Sequence, residues 1–289
     1  MKAVIITRPG GAEVLELEDR ATPQPAVAEI RVRVRASALN RADILQRQGN
    51  YPVPPGAPVD IAGIEYAGEV DAVGEGAALW KPGDRVMGIV GGGGHAEYVI
   101  LHEREAIRAP KALSWEDAAA IPEAFLTAYD ALFARLNLRP GETLLIHAVG
   151  SGVGTAGLQL AKTIDARVIG TARSADKLAR SQQLGLDIAI DASRGDWAAE
   201  VQKIAGADVV SAVLDLVGGN YLDGNLRVLA TKGRIVVVGL TAGAIAPMNM
   251  GILLRKRATM IGTVLRARSL EEKTALAREF SDRIVPFFE

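Results

Sequence analysis

The stretch TLLIHAVGSGVGTAGLQLAK, Thr143 to Lys162, decides the fold. An apolar run from Leu144 to Ala148 gives way to glycines. A second apolar series then begins at spacings of three and four, with Val153, Leu158 and Ala161 among its members. That change of period reads as strand, tight turn and helix. The expression G-x-G-x-x-G matches at Gly152, Gly154 and Gly157, but this register starts too far past the strand end. Counted from Ala148, the turn is Val149-Gly150-Ser151-Gly152-Val153-Gly154. Gly150 and Gly152 would let backbone N–H groups approach a pyrophosphate, and the helix N-terminus would add its dipole. Gly154 would let the helix pack close on the strand. A tight turn that holds no ligand is the alternative.

Outward from this turn the chain alternates. Strands are expected at Thr143–Ala148, Arg167–Thr171, Ile188–Asp191, Val209–Leu216, Arg234–Gly239 and Thr259–Leu265. Helices are expected at Val153–Ile164, Ser174–Leu184, Asp196–Ile204, Tyr221–Leu229 and Met250–Arg255, with a final one from Ser269 to Phe288. Strands separated by helices imply an α/β domain with a doubly wound, buried parallel sheet. Residues 1 to about 121 read differently. In AEIRVRVRASALN, Ile30, Val32 and Val34 alternate with Arg31, Arg33 and Arg35, the period of a half-buried strand. YAGEVDAVGEG and PGDRVMGIV are further short strands. Eight of the thirteen prolines precede residue 83, which suits a β domain with many turns.

Composition sets the outer limits. The chain has 289 residues, 49% apolar and 23% charged, with a net charge of −1. These are globular values, and no basic field recommends a nucleic acid or membrane surface as partner. There is no cysteine, so disulfides, thiolate catalysis and cysteine-ligated metals are excluded. Leu144–Ala161 is uncharged and long enough to suggest a membrane span. Its glycines, histidine and glutamine favour a soluble strand-turn-helix instead. With no secretory signal in MKAVIITRPGG, the expected location is cytoplasmic.

The end of the second strand selects the dinucleotide. An Asp or Glu about 20 residues beyond the glycine turn would bond a ribose 2′-hydroxyl. Here Thr171, Ala172 and Arg173 occupy that place, and Arg173 and Lys177 offer positive charge to a 2′-phosphate, as in NADPH. Asp176 is a counter-signal that reads as part of the next helix start. Ordinary surface charges are the alternative for Arg173 and Lys177.

Several blocks in fixed order carry a resemblance: ALNRADILQRQGNYPVPPGAP (Ala38–Pro58), GIEYAGEV (Gly63–Val70), PGDRVMG (Pro82–Gly88), GGGHAEYV (Gly92–Val99), AAAIPEAFLTAYDAL (Ala118–Leu132) and HAVGSGVGTAGLQLA (His147–Ala161). On these the chain resembles the zinc-free, zeta-crystallin-like quinone oxidoreductases of the medium-chain dehydrogenase/reductase superfamily, over essentially its whole length. The resemblance implies a GroES-like β domain, residues 1–121 with 266–289 returning to it, and a Rossmann-type domain, residues 122–265. It implies an active site in the cleft between them. Zinc-dependent relatives bind their metal with a cysteine and a Gly-His-Glu histidine. Here Asn40 stands near the cysteine position and Ile64 replaces the histidine, so no metal is expected, and Asp43 and Glu65 read as structural. Relatives often carry a tyrosine near Ala192 that approaches the adenosine phosphate, which this chain lacks. Relatives also run on for about one further strand and helix, so the chain reads as truncated or incompletely represented.

The implied chemistry is hydride transfer from NADPH to a small-molecule quinone. An alkoxide forming from a simple ketone would lack a Lewis acid, whereas a hydroquinone anion delocalises its charge. Such a substrate needs positioning and a proton donor. Tyr51 is the candidate to bond the substrate oxygen, with packing on Pro54 and Pro55 as the alternative. Asn40 is a second polar contact, or a turn amide bonded to backbone. Thr127 would sit under the nicotinamide, or be a helix cap or buried hydroxyl. Ser151 would bond the cofactor, or serve only its own backbone. Gly239 and Leu240 after the fifth strand, and Thr263 to Leu265 after the sixth, would bring backbone to the nicotinamide. His147 reads as buried and structural, and His95 as part of an interdomain loop. Reduction of an enoyl thioester and a non-enzymatic NADPH-binding sensor or structural protein are the competing readings. A homodimer is expected, because TMIGTVL is apolar on both faces and would otherwise be a long open sheet edge.

Overall fold

The computed structural model describes residues 1–289 and divides into two compact units, Met1–Leu126 with Leu265–Glu289, and Thr127–Val264.

In the first unit, β1 (Lys2–Ile6) and β2 (Leu15–Asp19) form an antiparallel pair. A five-stranded antiparallel sheet is built from β3 (Glu29–Ala36), β4 (Glu65–Val73), β5 (Arg85–Ile89), β6 (Tyr98–His102) and β7 (Ile107–Arg108), in the order β6-β3-β4-β5-β7. The expected alternation holds in β3. Ile30 and Val32 are fully buried against Tyr66, Val70, Val86 and Val99, while Arg31, Arg33 and Arg35 pair with Asp71 and Glu69. Each fully buried aliphatic side chain of this kind contributes roughly 1.5–3 kcal/mol. Helix α1 (Arg41–Arg47) begins at Asn40, whose backbone N–H is accepted by Asp43 Oδ2 at 2.7 Å. This return bond from the third helical residue fixes the helix start. Helix α2 (Trp115–Ala119) is capped by Ser114.

The second unit opens with a short α3 (Thr127–Tyr129) followed by wide helical turns over Asp130–Arg135. Its sheet contains β8 (Thr143–Ile146), β9 (Arg167–Ala172), β10 (Ile188–Asp191), β11 (Val210–Asp215), β12 (Leu229–Val237) and β13 (Thr259–Gly262). All pair in parallel, in the order β10-β9-β8-β11-β12-β13. Between them run α4 (Gly152–Lys162), α5 (Ala175–Gln183), α6 (Trp197–Ala205), α7 (Tyr221–Val228) and α8 (Met250–Lys256). This is the doubly wound α/β architecture. The order reverses between β8 and β11, which makes the carboxyl ends of those two strands the switch point where ligands bind in such sheets. The core gathers Leu145, Ile169, Ile190, Val213 and Ile235 from the strands with Trp197, Val201 and Leu226 from the helices.

Besides β13, which ends at Gly262 rather than Leu265, two elements differ from expectation. Strand β12 starts at Leu229 rather than Arg234, because Thr231-Lys232-Gly233, with Lys232 at φ 63°, reads as a turn but is carried inside the strand at a register shift against β11. The last helix, α9 (Leu270–Arg283), stops early, and Pro286 sits in a separate tight turn, Val285–Phe288. Proline has no N–H with which to continue the ladder.

Candidate active site

The glycine turn lies where β8 ends. Ser151 is the N-cap of α4, its Oγ accepting the Gly154 N–H at 3.2 Å, and Thr155 N–H bonds Ser151 O. The serine hydroxyl therefore serves its own helix in this structure. The amides of Gly152 and Val153 open α4 and have no intrahelical acceptor, leaving two donors and the helix dipole for an anion. A Cβ on Gly154 would stand 2.5 Å from Ala148 O, and one on Gly150 would stand 2.6 Å from Lys177 Cβ. The first contact is the close helix–strand approach expected of Gly154; the second keeps the mouth of the turn open beside Lys177. Arg173 and Lys177 are both exposed and neither takes part in an ion pair. Asp176, the counter-signal, is in the first turn of α5 and pairs with Arg180. The turn and the start of α4 fit the diphosphate of a nicotinamide dinucleotide.

A buried polar chain crosses the carboxyl ends of β9, β8 and β11. Thr171 Oγ1 meets His147 Nδ1 at 2.9 Å, His147 Nε2 meets Asn225 Oδ1 at 2.6 Å, and Asn225 Nδ2 donates to Asp215 Oδ2 at 2.8 Å. Asp215 Oδ1 in turn accepts the N–H groups of Val217 and Gly218. Since the Asn225 oxygen can only accept, His147 carries its proton on Nε2 and accepts from Thr171. Burial pushes the His147 pKa down, against the pull of Asp215 and Asn225, so the ring is neutral. His147 is thus a structural residue, packed edge-on against Trp197 and Tyr221.

The residues expected near a nicotinamide are distributed unevenly. Thr127 opens α3, and its buried hydroxyl has no hydrogen-bond partner. Val238 and Gly239 give their N–H groups to Asp215 O, and Leu240 is 54% exposed. The expected extent of the sixth strand needs correction. β13 ends at Gly262, so neither Thr263 nor Leu265 is a strand residue. Thr263 Oγ1 is committed to Asp130 Oδ2 at 2.7 Å. Leu265 belongs to the first unit, where it lines a small cavity with Ile89, Ile107, Leu126 and Leu276.

The first unit holds a constellation that the sequence did not reveal. Asn40 Nδ2 donates to Glu65 Oε1 at 2.6 Å, and the Glu123 N–H donates to Glu65 Oε2 at 2.7 Å. Asn40 is therefore bonded to a carboxyl group through its amide nitrogen while its side chain caps α1, with one N–H left over. Asp43 Oδ1 accepts the Gly63 N–H, and Asp43 Oδ2 lies 3.7 Å from His95 Nε2, whose other nitrogen meets Ser37 Oγ at 2.8 Å. His95 thus joins an acidic cluster rather than acting as a plain loop residue. Arg266, 4% exposed, bonds Gly91 O and Gln46 Oε1 and lies over the Tyr51 ring, 4.8 Å from its centroid. Its Nη1 is buried without a partner. The ring of Tyr51 therefore rests on a guanidinium, and its hydroxyl has no protein partner.

Burial dominates the electrostatics here. It pushes the Glu65 pKa up to about 7, with Asp43 adding to the shift and Asn40, the Glu123 N–H and His95 opposing it. It pushes Glu123 up to about 8, helped by Glu65 and Asp43 and opposed by Arg266. Tyr51 is raised by burial and by Glu123, and lowered by Arg266. Arg266 itself is lowered by burial. The arrangement can hold a proton beside a hydroxyl donor and a buried cation.

Comparison with known proteins agrees with this architecture. Residues 26–111 match the alcohol dehydrogenase GroES-like domain, and residues 152–281 match the zinc-binding dehydrogenase family. A quinone oxidoreductase of Pseudomonas aeruginosa is 37% identical over 248 residues, covering 86% of this chain and 76% of that protein. The crystal structure of Escherichia coli quinone oxidoreductase complexed with NADPH superposes with a TM-score of 0.87 at 31% identity, over 99% of this chain and 89% of that one. The CurK enoyl reductase superposes with a TM-score of 0.86 at 28% identity, over 99% and 87%. No helix of this chain is long and apolar enough to cross a membrane. The chain belongs to the quinone oxidoreductases of the medium-chain dehydrogenase/reductase superfamily, with a GroES-like domain and a Rossmann-type domain.

Proposed function

We propose that the chain reduces quinones by hydride transfer from NADPH without a metal. The observation that carries this reading is Tyr51: a hydroxyl with no protein partner, on a ring held under a buried guanidinium, beside a carboxyl group poised near neutral pH. When bound, the dinucleotide would supply the hydride. The protein's part is to bind, orient and protonate. The amides of Gly152 and Val153 would take the diphosphate, and Arg173 and Lys177 the 2′-phosphate, because no carboxylate stands at the end of β9 to repel it. Thr127 would offer its unpaired hydroxyl to the nicotinamide end, and Gly150, Gly239 and Leu240 their backbone. Tyr51 would donate to the substrate oxygen as negative charge gathers there, and Asn40 would use its remaining N–H. Ile64 and Asn40 stand where zinc-dependent relatives carry histidine and cysteine, so these positions offer a cation no imidazole or thiolate.

NADPH oxidation measured against 1,2- and 1,4-quinones, enones and a crotonyl thioester tests the proposal. Turnover of quinones well above that of the thioester is expected. The similarity to the CurK enoyl reductase makes thioester reduction the second reading, and preferential turnover of the crotonyl thioester would establish it in place of the first.

A further inference from the structure

Tyr221 opens α7 and is half-buried, yet its hydroxyl makes no hydrogen bond within the protein. Its ring is held from two sides. It stacks on Trp197 with centroids 5.4 Å apart and meets the His147 ring edge-on at 4.8 Å. Trp197 is held in turn by α7, which passes so close that a Cβ on Gly224 would stand 2.4 Å from the indole. The stacked pair walls a polar cavity of about 250 Å³ that Ala192 and Asn220 also line. Asn220 is exposed, and its side chain caps nothing. The cavity borders the end of β9, because the Ala192 N–H bonds Ala172 O at 2.9 Å and Arg173 is the next residue. Burial raises the Tyr221 phenol, and the positive charge of Arg173 opposes that rise. The two carboxylates on the cavity wall, Asp196 and Asp223, both pair with Arg227, at 2.5 and 4.0 Å. Arg173 has no such partner. An anion at the rim therefore meets an uncommitted guanidinium and an uncommitted hydroxyl.

We propose that Tyr221 selects for a phosphorylated ribose, its hydroxyl donating to the 2′-phosphate of the dinucleotide beside Arg173. The assignment rests on the NADPH reading above and adds to it a residue from a different element. Its physical basis is preorganisation. A phenol already held by two neighbouring rings loses little freedom when a ligand arrives. A hydroxyl with no protein partner exchanges only water for the phosphate oxygen. The bond it makes is charge-assisted, about twice as strong as the neutral bond it would make to a ribose 2′-hydroxyl. Arg173 and Lys177 are exposed and attract the phosphate through screened charge. Tyr221 fixes where the phosphate comes to rest.

Equilibrium titrations of the full chain test this without any turnover. The probes are two matched pairs: NADPH against NADH, and adenosine 2′,5′-bisphosphate against adenosine 5′-monophosphate. Tyr221→Phe keeps the ring and its stack on Trp197 and removes only the unpaired hydroxyl, so the variant should fold, as near-ultraviolet circular dichroism would verify. Its dissociation constants for NADPH and for the bisphosphate should rise about three- to twentyfold. Those for NADH and the monophosphate should stay at the parent's values. Weakening of all four ligands by the same factor would make Tyr221 a packing residue and overturn the assignment. A parent that prefers the 2′-phosphorylated member of each pair, with Tyr221→Phe unchanged, overturns the assignment and leaves the NADPH reading standing. A parent that binds both members of each pair equally overturns the NADPH reading and the assignment together.

Discussion

The Tyr51 hydroxyl makes no bond within the protein, so removing it should leave the fold intact and expose its chemical role. Tyr51→Phe should lower quinone turnover by about five- to a hundredfold, the value of one transition-state hydrogen bond of roughly 1–3 kcal/mol. The dissociation constant for NADPH should stay unchanged in an equilibrium titration. An undiminished rate would return Tyr51 to a packing role. Arg173 has a comparable test. A guanidinium and an ammonium beside a 2′-phosphate contribute roughly 1.5–3 kcal/mol each when well formed, less at an exposed, screened site. The parent should prefer NADPH to NADH by about ten- to several-hundredfold. Arg173→Ala should erase most of that preference and spare NADH, and salt should weaken NADPH binding more than NADH binding. Equal dissociation constants in the parent at low salt would make Arg173 and Lys177 ordinary surface charges. Both residues stood out in the sequence because local context, a strand end and a Tyr-Pro loop, marks them. Arg266 did not. Its partner Gln46 lies 220 positions away, and nothing near Arg266 in sequence signals that it is buried.

At the scale of elements, hydrophobic period carried most of the reading. β10 was placed to the residue, and β8, β9 and β11 within one or two, since buried parallel strands are short apolar runs closed by polar turns. The misplacements have local causes: a left-handed lysine inside β12 and a proline beyond α9. The carboxyl cluster was illegible for another reason. Asp43 and Glu65 were visible but read as structural remnants, and Glu123 sits in an apolar run where its meeting with Glu65, 58 positions away, leaves no periodic trace. The chain from Thr171 through His147 and Asn225 to Asp215 ties three strand ends together and fixes the turn after β11. Asn225→Leu would strand a buried carboxylate oxygen and a buried imidazole N–H at once. Unfolding in urea should show a loss of about 2–4 kcal/mol. A change below about 0.5 kcal/mol would mean that the freed groups find other partners.

At the scale of the whole molecule, buried titratable groups shape stability against pH. Glu65 and Glu123 keep their protons to about 7 and 8, against an ordinary value of 4.5. Through that window the folded chain binds more protons than the unfolded one, so stability should fall as pH rises from about 4.5 to 8 and then level. His147 acts in the opposite direction. Its pKa is depressed from 6.5, so below that value the unfolded chain takes a proton that the fold refuses, and stability falls on acidification. Melting temperatures across pH should show both limbs, and Glu123→Gln should flatten the alkaline one; an unaltered limb would locate the cause elsewhere. The proposed homodimer belongs to the same scale. β13 is a four-residue edge strand, shorter than expected, with Met260 43% exposed and Leu254 of the neighbouring α8 73% exposed. An unpaired apolar edge is an association surface. Light scattering at micromolar concentration should give twice the mass of one chain, and a monomer mass would contradict the pairing.

The packing of Trp197 carries a practical consequence. The chain has three tryptophans, and two lie under arginines of the first unit, Trp80 beside Arg108 and Trp115 beneath Arg85. Trp197 is the sole indole of the second unit, stacked on Tyr221 and touching His147, on the wall of a polar cavity of about 250 Å³ bounded also by Ala192 and Asn220. With Trp80 and Trp115 changed to phenylalanine, ultraviolet emission would report from one place alone. Its wavelength would follow the opening of the nucleotide-binding unit separately from the β unit, and its quenching would register protonation of His147 beneath it. The molecule thus carries a built-in optical probe of its second unit.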